Sequence, residues 1–269
     1  MGGILETITG SLSAAAVTTA QAFAPNNPNT FTIRNATGQR DAALLSAWAN
    51  VTVAGQVRIR SPRLHDANQA LNMRALALNS QPLLSDGTKQ GLYSQDLLIV
   101  DYTADVAPGA ASAQGVALQV YYPDLVGGSQ SSLRSWAEVE PFINNVLGQE
   151  MTPVSSATVG AWGPGQVLNA NYDTFKAGKN YALLGYTCTD VGVAFGISGA
   201  DTGNYIVGGP LTTDTQNTKN YFVELSNNNG LPLIPVISAN NKLSTLVQVA
   251  TLLASTVSHV GLILAELSN

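Results

Sequence analysis

Two histidines, His65 and His259, one cysteine, Cys188, and seventeen carboxylates are the groups from which this 269-residue chain could assemble a reactive centre. His65 stands beside Asp66 in Leu64-His65-Asp66-Ala67-Asn68. Neighbours on one loop do not give a base its orienting partner, and no nucleophile accompanies them. His259, in Val257-Ser258-His259-Val260-Gly261, falls on the alternating face of a strand and reads as a surface or interface residue. In Phe195-Gly196-Ile197-Ser198-Gly199 the glycines do not bracket the serine as a nucleophile elbow requires. Six glycines lie between Gly192 and Gly209 with no helix after them, so close strand packing or bulges explain them better than a phosphate loop. Two of the seventeen acids could meet as a glycosidase pair, but Tyr121, Tyr122, Trp162 and Tyr172 form no aromatic platform for a sugar. Loop oxygens around Asp201, Asn204 or Asp214 leave calcium as the one ion the pattern admits, without EF-hand spacing. The expectation is a protein that is not an enzyme and has no cofactor.

Composition points the same way. Charged residues are 11% of the chain, with only five lysines, against an ordinary level of about 25%. A neutral surface rich in Asn, Thr and Ser loses little side-chain entropy and little hydration when it is buried between copies. A lone cysteine excludes an internal disulfide, and Cys188, between Thr187 and Thr189 in a strand-like run, reads as a buried thiol in a reducing compartment. The net charge of −5 argues against a dedicated nucleic-acid binder. Yet Arg34, Arg40, Arg58, Arg60, Arg63 and Arg74 fall in one stretch with only Asp41 and Asp66, a local net of six minus two, or +4. Two readings stay open: ordinary surface and interface arginines, or a face turned toward the phosphates of a packaged genome or of lipid headgroups.

No run of 18 apolar residues occurs, so no membrane-spanning helix is expected. Ala22-Phe23-Ala24 resembles a leader cleavage site, but the preceding residues lack a basic start and carry Glu6, Thr7, Thr9 and Ser11, so cleavage is not expected.

These groups need elements to hold them. Ile4, Leu5, Ile8, Leu12, Ala15, Ala16 and Phe23 recur at helical spacings, predicting an amphipathic N-terminal helix that ends before Pro25 and lies on a core, a neighbour or a membrane interface. A second helix is predicted over 133–147 from the stripe Trp136, Val139, Ile143 and Val146 or Leu147, stopping at Gly148. Elsewhere the pattern is β, clearest in Gln56-Val57-Arg58-Ile59-Arg60. About a dozen strands without strand-helix alternation imply an all-β, mainly antiparallel jelly-roll sandwich. The expected plan is an N-terminal arm over 1–25, a first jelly roll over 26–148 and a second over 149–269; the alternative is one decorated sandwich over 26–269.

In this plan the chain resembles the jelly-roll major capsid proteins of tailless icosahedral viruses, especially the compact double jelly rolls of membrane-containing bacteriophages. The resemblance rests on the N-terminal segment Met1 to Ala24, two β-rich halves around Leu133 to Leu147 and long Gly/Asn/Thr loops. It implies homotrimers with a pseudo-sixfold outline, upright barrels and an N-terminal segment reaching a membrane or a neighbour. The expected function is a structural capsid subunit of the virion, assembled in the host cytoplasm. Its partners would be copies of itself, other virion proteins, and a membrane or genome met through the Arg-rich face. Arg34, Arg58, Arg60, Arg63 and Arg74, with Ile4, Leu5, Ile8 and Leu12, are the expected interface or interior-facing residues. The alternative is an extracellular β-sandwich binding module, such as an adhesin, tail-fibre or carbohydrate-recognition domain.

Overall fold

A computed structural model describes residues 3–13, 19–26, 30–34, 42–61, 70–77, 81–82, 89–108, 113–123, 131–212 and 218–268. The first ten strands are β1 (Ile4–Ser13), β2 (Gln21–Ala22), β3 (Ala24–Pro25), β4 (Ala42–Asn50), β5 (Gly55–Arg60), β6 (Leu71–Ala75), β7 (Gln81–Pro82), β8 (Gln90–Leu92), β9 (Ile99–Ala104) and β10 (Ala113–Tyr122). After β11 (Leu133–Arg134) and a single turn, α1 (Trp136–Val139), come β12 (Ile143–Met151), β13 (Gln166–Val167), β14 (Asn180–Cys188), β15 (Ala194–Ser198) and β16 (Val207–Pro210). Helix α2 (Tyr221–Asn229) leads to β17 (Ile234–Ser238), β18 (Leu246–Ala250) and β19 (Val260–Leu267).

The strands pair antiparallel, and they nest. In the first half β1 pairs with β10, β2 with β9, β4 with β7 and β8, and β5 with β6. In the second half β12 pairs with β19, β13 with β18, β14 with β17, and β15 with β16. First with last, second with next to last: this is the pairing of a long hairpin rolled on itself. The chain is an all-β protein of antiparallel sandwiches, and the jelly-roll order is traced twice. The sheets are β3-β1-β10-β4-β7 (β8 also on β4) with β2-β9-β5-β6, then β11-β17-β14-β19-β12 with β13-β18-β15-β16.

Alternation explains the strands. In β5 the residues Val57 and Ile59 are fully buried while Gln56 faces water. Ile4, Ile8 and Leu12 line the first core with Val116, Leu118, Val120 and Tyr122 of β10. Tyr181, Leu183 and Tyr186 of β14, with Phe195, Phe222, Leu262 and Leu264, build the second.

Both predicted long helices are corrected. Residues 4–13 form β1, a strand flanked by β3 and β10 rather than an arm. The spacing of four between Ile4, Ile8 and Leu12 satisfies a period of 2 as well as 3.6, and Leu5 looked like a second helical contact because both faces of the strand are covered. The predicted helix over 133–147 shrinks to the four residues of α1, whose start is held by Glu138 accepting from Ser135 N and Oγ (2.8 and 2.7 Å). Pro141 has no N–H to continue the ladder, and from Ile143 the stripe serves strand β12 instead. Consequently β12 runs straight through Gly148, where the sequence placed the boundary between halves. Conversely Tyr221-Phe222-Val223-Glu224-Leu225, strand-like in composition, is helical: Tyr221, Phe222, Leu225 and Asn229 share its buried face, and Gly230 closes it at φ +60°.

Candidate assembly surfaces

The outer face of the first half's larger sheet is not a water face. Thr7, Thr9, Ser46, Asn50 and Gln119 alternate with core residues, yet each is no more than 3% exposed, because this face lies against the second half. The seam combines apolar contacts, in which Trp48 and Ala117 pack with Trp162, Val193 and Ile206, with a set of hydrogen bonds. Thr7 N donates to Ile206 O (2.7 Å), Gly208 N donates to Thr7 Oγ1 (2.9 Å), and Gln119 Nε2 donates to Gly208 O (2.7 Å). Tyr221 OH donates to Gln119 Oε1 (3.1 Å), and Asn50 Nδ2 donates to Gly192 O (3.0 Å). A Cβ on Gly208 would stand 1.7 Å from Phe195 O, so close approach requires glycine there. The glycine run signals this seam; Thr7 and Gln119 do not, since a polar residue alternating with apolar ones looks the same whether water or another sheet covers it.

The arginine stretch becomes a set of ion pairs. Arg34 grips the buried carboxylate of Glu6 with Nε–Oε2 2.9 Å and Nη2–Oε1 2.7 Å. Its guanidinium carbon also sits 4.8 Å from the centre of the Tyr205 ring, tying the first half to the second. Arg58 Nη2 and Arg60 Nε both reach Asp101 Oδ2, at 2.9 and 2.8 Å. Arg74 pairs with Asp105 in the open, which raises its guanidinium and holds the Asp105 carboxyl below the usual range. Arg40 and Arg63, with Asp41 and Asp66, lie outside the described residues. The local +4 is a property of the sequence window; Glu6, Asp101 and Asp105 are folded onto it from elsewhere. Ile4, Leu5 and Ile8 are buried within the chain's own cores, and Leu12 packs partly against the first.

The chemistry-bearing residues do not converge. His65 lies outside the described residues. His259 Nδ1 is 3.6 Å from Glu150 Oε1, both side chains more than half exposed, on a shallow depression of about 310 Å³ lined also by Thr187, Cys188, Thr189, Val260 and Gly261. Cys188 is buried there, its thiol bonded to Thr212 O (2.8 Å) and Asp190 O (3.2 Å), and burial pushes it up to about 11. A thiol so held is not a nucleophile at neutral pH. Asp201 spends both carboxylate oxygens inside the chain, on Ser238 N (3.0 Å) and Asn241 Nδ2 (2.9 Å), while Asp214 lies outside the described residues. Among the described residues no three His, Cys, Asp or Glu side chains gather as a metal centre would need, and no helix is long and apolar enough to cross a membrane.

What the surface does offer is neutral strand edge and apolar tips. β12 is the outermost strand of its sheet, with Val146 52% and the preceding Phe142 50% exposed. Val154, Leu253 and Val257 stand together at one end of the second half, where Val154 bridges Val257. An open strand edge offers unpaired main-chain groups and these tips offer apolar area, the two kinds of group from which a contact surface is built.

No protein-family model and no curated protein matches the chain. Among solved structures, the PBSX exported protein XepA aligns with 97% of this chain and 86% of its own at 13% identity and a TM-score of 0.29. The STIV MCP aligns with 99% of this chain and 88% of its own at 10% identity and a TM-score of 0.21. Likenesses this distant bear on neither activity nor assembly.

Proposed function

We propose that this chain is a capsid-type building block, a structural subunit that associates with copies of itself into a closed viral shell. The observation that carries the reading is the tandem of two rolled sandwiches with the same nested strand order, fused face to face by the polar seam around Thr7, Gln119 and Gly208. That is the plan of the double jelly-roll capsid proteins which the sequence resembles. Fusion makes one broad block of two rolls, and the low charge and scarcity of lysine keep the cost of burying its sides small. In this reading the two rolls are the structural units, trimers are the assembly intermediate, and the protein resides in the virion after assembly in the host cytoplasm. Other virion proteins and an enclosed membrane or genome are its further partners.

The test is light scattering with negative-stain imaging of the purified protein across ionic strength. Closed particles or regular trimers are expected. A strict monomer under every condition overturns the proposal and favours a binding module, to be followed by glycan and calcium screens.

A further inference from the structure

The second half leaves one strand edge open in a way that selects its own partner. β12 hydrogen-bonds β19 on one side only. Asn171 Nδ2 donates to Glu150 O (3.1 Å) from the opposite side, so the main-chain groups of Glu150 face away from β19. Antiparallel strands alternate, so the N–H and C=O of Gly148 and Val146 face outward too. Among the described residues nothing pairs with them. A bulge between Ile143 and Asn145 ends the regular stretch on one side, and the Asn171–Tyr172 segment closes it on the other, where Gln149 Nε2 donates to Tyr172 O (2.8 Å). Natural edges are guarded by charge or proline, yet Ile143 to Gln149 contains neither.

We infer that β12 joins β12 of a second copy, antiparallel, about a two-fold axis through Leu147, an inference that rests on the self-assembly reading above. In this register Val146 lies opposite Gly148 of the other copy and the reverse, so both outward-facing residues are used and four main-chain hydrogen bonds form. The side chains agree with it. Val146 is half exposed, and the Cβ direction of Gly148 meets nothing within 4 Å, so each valine lies over the space left by the other copy's glycine. No charge opposes its like across the pair, since Glu150 falls beyond the ladder. A register centred on Val146 instead would set Gly148 against the bulged Asn144 and lose half of the bonds. The result is one continuous sheet running through two subunits.

Two variants test it. Gly148 has an ordinary backbone conformation and open space around it, so Gly148→Leu leaves the subunit's melting curve unchanged while colliding with Val146 of the other copy. Sedimentation equilibrium is expected to show association weakened at least about tenfold, the scale of a few lost hydrogen bonds. Leu147→Cys places two thiols across a non-hydrogen-bonded pair, at the separation a disulfide accepts, so mild oxidation is expected to give a covalent dimer; Asn145→Cys, which faces Gln149, is expected to give none. Cross-linking through Asn145→Cys but not Leu147→Cys overturns the register. Oligomers formed at unchanged affinity by Gly148→Leu, with no Leu147→Cys dimer, overturn the β12 contact while leaving self-assembly standing. A wild-type chain that never associates overturns both.

Discussion

Arg34 holds the carboxylate of Glu6 in a two-point grip from 28 residues away, with Glu6 almost wholly enclosed and Arg34 keeping a third of its side chain in water. The pair sets a charge inside the first roll and neutralises it there. Arg34→Ala leaves Glu6 buried without its counter-ion and is expected to cost about 2–3 kcal/mol in denaturant unfolding, below the range for a fully enclosed pair. Replacing both residues by leucine is expected to cost less than Arg34→Ala alone, and a double-mutant cycle measures the difference.

Asp101 depends on Arg58 and Arg60 together, with only 8% of its side chain exposed. Reversing both arginines to glutamate is expected to lower the melting temperature by roughly 5–10 °C in the isolated subunit. Arg74→Glu, at an exposed pair, is expected to leave the melt unchanged. Equal melts for the two variants would separate Asp101 from the stability of the fold.

Deleting residues 1–24 removes β1, into which β10 pairs along its whole length from Ile4↔Tyr122 to Ser13↔Ala113. The truncated chain is expected to lose cooperative unfolding, with reduced β signal in circular dichroism. A truncated chain that melts like the full one would mean that β1 is dispensable.

At the seam, Thr7→Val removes the hydroxyl that accepts from Gly208 N (2.9 Å) and donates to Gly208 O (3.4 Å), and is expected to cost about 1–2 kcal/mol. Gly208→Ala forces a Cβ against Phe195 O and is expected to cost about 3 kcal/mol or more. Chemical denaturation ranks the two; the reverse order would contradict the close approach.

Glu266 is held below the usual carboxylate range by the Lys176 ammonium, 2.8 Å from its Oε2. A depressed value means that the unfolded chain takes up the proton first as pH falls. The contribution is complete above the unfolded value near 4.5 and is lost as pH drops through the lower folded value. Melting temperatures between pH 3 and 7 are expected to fall more steeply for the wild type than for Glu266→Gln, and parallel curves would refute it.

Much of the fold was legible because local pattern and tertiary role agreed. Val57 and Ile59 alternate with Gln56 and Arg58 as a half-buried strand must, and the Gly, Asn and Pro punctuation separates strand from strand. Legibility failed where two periods coincide or where a distant element supplies the partner. Ile4, Ile8 and Leu12 fit a helix face and a strand face equally, and the choice was made by β10, over a hundred residues away. Pro141 was the local sign that the second helix stops early. The arginines were visible in the sequence, but Glu6, Asp101 and Asp105, which decide their electrostatic meaning, were not within reach of any window. The outward-facing edge at Val146 and Gly148 is a main-chain property, and side-chain identities do not encode which way an amide points.

The nested pairing also dictates an order of events during synthesis. Residue 4 is partnered by residue 122, and residue 143 by residue 267, so each roll places its earliest strand against its latest. Closing such long loops is entropically slow, and no partial roll can seal its sheet before the final strand arrives. While the second half is still being made, Thr7, Asn50 and Gln119 lack the carbonyls and amides of Gly192 and Gly208. The nascent first roll therefore presents a mixed face until its mate is complete, with Leu5, Leu45, Trp48 and Tyr121 uncovered among those unpaired polar groups, so the half-made chain is at its most adhesive just before the second roll closes over it.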